Sequence, residues 1–71
     1  MDIQKLVGSN IQKLRLAAKI SQEELAARMD VDQAYVSRLE AGDKNPTLAT
    51  LHLAAMALGV EIKAIFDNRK K

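Results

Sequence analysis

Apolar residues recur along the chain at steps of three and four, and no stretch convincingly predicts a strand. Ile3, Leu6, Val7, Ile11 and Leu14 share one face of a helix over residues 3–18. Gly8 lies inside that helix, where glycine costs about 1 kcal/mol relative to alanine; it marks either a close helix approach or an irregular start. Ser21-Gln22-Glu23-Glu24 has the form of a capping box: the serine hydroxyl accepts from the N–H three residues on, and the glutamate reaches back. Leu25, Ala26 and Met29 face inward on the helix it opens, and Asp30-Val31-Asp32 makes a turn. Asp32 is a suitable cap for the next helix, about Gln33 to Glu40, which points Val36 and Leu39 inward. Gly42 suits the left-handed position that ends it. After the polar loop Ala41 to Pro46, Thr47 caps a helix from Leu48 to Leu58, and Gly59 stops it. Leu48, Leu51, Ala55 and Leu58 are its expected core face. Val60, Ile62, Ile65 and Phe66 predict a short last helix. The expectation is an all-α, compact five-helix fold. It forms one domain over residues 1–71, with a core at about 3–67 and a helix-turn-helix at about 21–40.

Composition narrows what such a fold does. At 71 residues the chain has room for a single small core. Without cysteine it has neither disulfides nor a thiolate metal site, so packing of Leu, Ile, Val, Ala and Met must hold it. No apolar run nears the ~20 residues of a membrane span, which points to the cytoplasm. The net charge of +2 is only mildly basic. Its distribution says more: Lys5, Lys13, Arg15 and Lys19 make the first twenty residues basic, and Arg69-Lys70-Lys71 form a basic tail over 68–71. The single histidine, His52, has no nucleophile or paired carboxylates around it in a pocket motif. It reads as a core-edge or interface residue, and the chain as no enzyme.

Four strings then carry a resemblance: Ser-Gln-Glu-Glu-Leu-Ala (21–26), Tyr-Val-Ser-Arg-Leu-Glu-Ala-Gly (35–42), Asn-Pro-Thr-Leu (45–48) and Ala-Leu-Gly-Val (57–60). In this order and spacing the chain resembles the lambda-repressor/Cro-type helix-turn-helix family, also called XRE, from about Val7 to Phe66. Within the family it looks most like the controller proteins of restriction–modification systems. One departure is Asp30, where the family usually has glycine; aspartate visits the left-handed region more readily than most residues.

The resemblance implies a transcriptional regulator that binds double-stranded operator DNA with its second motif helix in the major groove. Gln33, Ala34, Ser37 and Arg38 share the outer face of that helix, opposite Val36 and Leu39. Glutamine can bond adenine and arginine guanine in bidentate fashion, and an alanine methyl can touch thymine. Gln22, at a helix start that favours anions, is expected on a phosphate. Tyr35, Lys44 and Asn45 are the other expected phosphate contacts. The resemblance also implies an internal salt bridge between Arg15 and Glu40.

The fourth helix carries more apolar surface than one core stripe needs. Ala49, Leu53 and Met56 form a second row which, with Ile62, Ile65 and Phe66, makes a candidate homodimer interface. A dimer would read two half-sites of a pseudo-palindromic operator about 34 Å apart. No cofactor, metal or small-molecule ligand is expected. The same apolar row would instead serve a foreign protein in an antitoxin-type interaction module, and phage and plasmid repressors share the motifs.

Overall fold

In the computed structural model, which describes residues 2–69, the first apolar stripe winds into α1, Ile3–Ala17. Asp2 caps it by accepting from the backbone N–H of Lys5 at 3.2 Å. Gly8 is buried against the end of a later helix. A Cβ there would overlap the Leu39 carbonyl oxygen and lie 2.8 Å from that of Glu40. The close approach explains why a poor helix former occupies the middle of α1.

Three further α-helices follow: α2 is Gln22–Met29, α3 is Gln33–Ala41 and α4 is Leu48–Leu58. Ser21 accepts from the Glu24 N–H at 3.0 Å. The expected return bond is replaced: the Glu24 carboxylate takes Arg28 Nε at 2.9 Å, and Arg28 also donates to the Ala57 carbonyl at the end of α4. Asp32 holds the extended conformation of a cap, but its side chain accepts no capping bond. Thr47 does cap α4, through the Thr50 N–H at 3.1 Å.

All four helices close in the same way. The residue after each cap, or the cap itself, turns left-handed: Lys19, Asp30, Gly42 and Gly59 have φ of 61°, 60°, 83° and 71°. The next N–H then reaches back five residues, as from Ile20 to Arg15, Val31 to Ala26, Asp43 to Arg38 and Val60 to Ala55. This is the Schellman arrangement, which satisfies carbonyls that a helix end leaves open. Two of the four positions are not glycine, and Asp30 is one of them.

The fifth element is a 3-10 helix, Ile62–Phe66, in place of an α-helix. It packs on α1 and α4, while α3 packs on α1 and α2. Asn10 fastens it by donating to the carbonyls of Ile65 at 2.8 Å and Asp67 at 2.7 Å. The core is mostly aliphatic, with Ile11, Leu25, Val36, Ala54 and Ile65 at 0% exposure. Two expectations need correcting here. Leu48, expected in the core, is 73% exposed, and Ala54 takes the inward position. Ile65, expected on the outer face, is enclosed where α1, α4 and the 3-10 helix meet. Among the described residues there is no strand, and no helix is long and apolar enough to cross a membrane.

Replacing Gly8 by alanine should destabilise the fold by about 1–3 kcal/mol, although alanine is the better helix former by about 1 kcal/mol. Urea unfolding checks this: the midpoint should fall at an unchanged slope. A more stable alanine variant would show that α1 and α3 need not approach so closely.

Candidate nucleic-acid interface

The two sides of α3 have opposite characters. Val36 and Leu39 are buried at 0% and 1% exposure, whereas Gln33, Ala34, Ser37 and Arg38 are all exposed. Residues at these spacings fall on one side of a helix because 3.6 residues make a turn. The result is a short polar surface on a helix whose other side is fixed in the core. Tyr35 is half-buried between them.

Behind this surface lies the Glu40 carboxylate, with a side chain only 2% exposed. Arg15 donates to it twice, Nε to Oε2 at 2.6 Å and Nη2 to Oε1 at 3.1 Å. The third guanidinium nitrogen donates to the Ile20 carbonyl at 3.0 Å. Such bidentate charge-assisted bonds fix orientation as well as adding energy. The hydrogen bonds to Glu40, opposed by burial and reinforced by its charge, raise the Arg15 pKa above its ordinary value. That contribution to stability is present through the neutral range and is lost as pH rises far into the alkaline range, where the guanidinium deprotonates. Gln22, the first residue of α2, adds a third donor, Nε2 to Glu40 Oε1 at 3.0 Å. From the sequence, this side chain is expected only on a phosphate.

In the loop after α3, the Lys44 ammonium lies 5.5 Å from the centroid of the Tyr35 ring. This cation–π contact brings two of the expected phosphate contacts together beside the first turns of α3. Asn45 follows, exposed. Gln22, α3, Tyr35, Lys44 and Asn45 thus belong to one helix-turn-helix and the loop after it. Arg69, from the expected basic tail, is paired with Asp67 at 3.0 Å; Lys70 and Lys71 lie outside the described residues.

The outer side of α4 is a separate surface. Leu53 is 44% and Met56 65% exposed; Ala49 and His52 are exposed too, and Ile62 is half-buried. Phe66 stands at the edge of a groove of about 210 Å³ lined by Ile3, Val7, Pro46, Leu48 and Leu51 among others. Ile3 and Leu48, both expected on core faces from the apolar spacing, lie at the surface. A helical wheel puts Leu48 at the margin of the α4 core stripe, so the signal was present. Asn10 was missed as well: it stands three residues after Val7, a polar residue in an apolar row.

The chain matches the helix-turn-helix family model HTH_3 over residues 11–65. It is 52% identical over 60 residues to an uncharacterized HTH-type transcriptional regulator, y4dJ of Sinorhizobium fredii, covering 84% of this chain and 78% of that protein. It is 34% identical over 71 residues to the control protein C.MunI of a Mycoplasma species, covering 99% and 96%. Among solved structures, the restriction–modification controller protein C.AhdI of Aeromonas hydrophila superposes with a TM-score of 0.86 at 33% identity, covering 89% of this chain and 96% of that one.

Proposed function

The chain belongs to the HTH_3 helix-turn-helix family, as an XRE-type transcriptional regulator and not an enzyme, and on that premise we propose that it controls a restriction–modification system by binding a pseudo-palindromic operator as a homodimer. The observation that carries the proposal is the exposed side of α3, held from behind by a buried ion pair and flanked by Gln22 and Lys44. In this reading α3 enters the major groove. Gln33 and Arg38 bond base edges, each bidentate contact discriminating by about 1–3 kcal/mol, and Ala34 and Ser37 complete the surface. Gln22, Tyr35, Lys44 and Asn45 hold the phosphates on either side, setting register and strength without choosing sequence. The controller role draws on the relatives named as control proteins, which match this chain over nearly its whole length.

The homodimer reading rests on α4. Its eleven residues contain no charged side chain, and helices facing solvent normally carry polar or charged groups outward. Ala49, Leu53, Met56, Ile62 and Phe66 are the proposed contact; Ile65 supports them from the core. The groove beside Leu48 and Ile3 extends this apolar surface. Two copies joined here would place two α3 helices on successive half-sites, and control would follow from protein concentration in the cytoplasm.

Selection from random duplex DNA should recover a two-fold symmetric site. Gln33→Ala and Arg38→Ala should each weaken binding by about 1–3 kcal/mol and relax preference at one position per half-site. Lys44→Ala should weaken all sequences alike and make the salt slope shallower by about one unit. An unchanged selected site in both α3 variants would refute the assignment of the reading surface. In sedimentation at tens of micromolar the protein should have twice its 7.8 kDa chain mass, and Met56→Glu should halve it; a monomer both alone and on operator would rule out the dimer.

A further inference from the structure

We infer that Glu40, besides bracing α3, is the residue that positions Gln22 for a DNA phosphate, so that the buried ion pair governs a backbone contact. The inference rests on the reading that α2 and α3 face DNA. It starts from how the carboxylate is shared. Oε2 accepts from Arg15 alone, while Oε1 accepts from both Arg15 Nη2 at 3.1 Å and Gln22 Nε2 at 3.0 Å. A carboxylate only accepts, so the Gln22 amide must turn an N–H towards it. That choice fixes the amide plane and leaves the other N–H and the carbonyl oxygen in set directions.

Gln22 is the first residue of α2. Ser21 claims only the Glu24 N–H, so the backbone N–H groups of Gln22 and Glu23 have no intrahelical acceptor and form the anion-favouring end of the helix. A phosphate arriving there meets a side-chain amide whose torsions were already restricted on folding. A carboxylate so near would ordinarily repel that phosphate. Here Arg15 spends two N–H groups on it and offsets its charge. Glu40 also belongs to α3, so one carboxylate ties the register of the phosphate contact to that of the reading helix.

The test replaces each operator phosphate in turn by a neutral methylphosphonate and measures affinity for wild type, Gln22→Ala and two Glu40 variants. One phosphate should cost wild type roughly three- to tenfold more than it costs Gln22→Ala, the worth of the side-chain hydrogen bond; the share owed to the helix-end N–H groups is common to both. Glu40→Gln keeps the shape and changes the charge. Arg15→Met combined with Glu40→Met removes the holder without leaving a lone buried charge, a replacement that folded proteins usually tolerate. Melting by circular dichroism confirms that each is folded. The double variant should lose that excess at the same phosphate and bind the unmodified operator roughly three- to tenfold more weakly. A role confined to stability would leave the phosphate penalty intact and overturn the inference. Wild type supplies a readout that needs no variant: nitrogen-15 relaxation of the free protein should show the Gln22 side-chain amide ordered and that of Gln33 mobile. Equal mobility would also overturn it. If no phosphate depends on Gln22, the phosphate role of Gln22 falls first and the inference with it; if no DNA is selected at all, the operator reading has failed.

Discussion

The arrangement depends on one buried carboxylate, Glu40, and the three N–H groups aimed at it. The α3 helix has nine residues, too few to be stable alone in water. Apolar packing of Val36 and Leu39 holds it to the core, but such contacts are weakly directional. The Arg15–Glu40 pair adds direction by tying the last turn of α3 to α1 through a planar, two-bond fork. Removing one member of such a pair costs about 3–5 kcal/mol because the other is left buried and unpaired. A well-packed apolar replacement of both is often neutral. The pair therefore matters less for net stability than for where α3 sits, and that position determines what its outer side chains can reach.

Backbone geometry supports the same outcome. Gly8 lets α1 lie directly against the Leu39 and Glu40 carbonyls, which brings Arg15, two turns further along α1, into range of the carboxylate. The repeated left-handed closures end each helix within one residue, so the connections stay short and the short helices cannot fray far. The Asn10 side chain then pins the terminal 3-10 helix to α1. Ile65 can be buried there because the carbonyls around it have donors.

Much of this was legible in the residues. The three-four spacing of apolar positions located the helices to within about a residue, and Gly42 and Gly59 marked two ends because glycine tolerates positive φ. The inward and outward sides of α3 followed from spacing alone. What spacing could not show were contacts that depend on the relative placement of helices. Nothing local distinguishes Glu40, enclosed beside Arg15, from Glu23, exposed in solvent. The attachment of Gln22 to Glu40 links residues 18 apart, and that of Asn10 to Ile65 links residues 55 apart. Lys19 gave no signal of its left-handed turn, since lysine has no preference for it. Ile65 and Leu48 were exchanged between core and surface for a related reason: each lies near the edge of its apolar stripe, and the neighbouring element decides which edge is covered.

The protein thus presents two surfaces of different chemistry: a polar one, made by α3 with the starts and loops beside it, and an apolar one along α4. The central claim is that the first is the DNA surface. Titrating nitrogen-15-labelled protein with a half-site duplex, and following every amide, tests it most directly. The largest shifts should fall at Gln22, at 33–38 and at Lys44 and Asn45, saturating together. Saturable shifts confined to α4 and the terminal 3-10 helix, with α3 unaffected, would contradict the account.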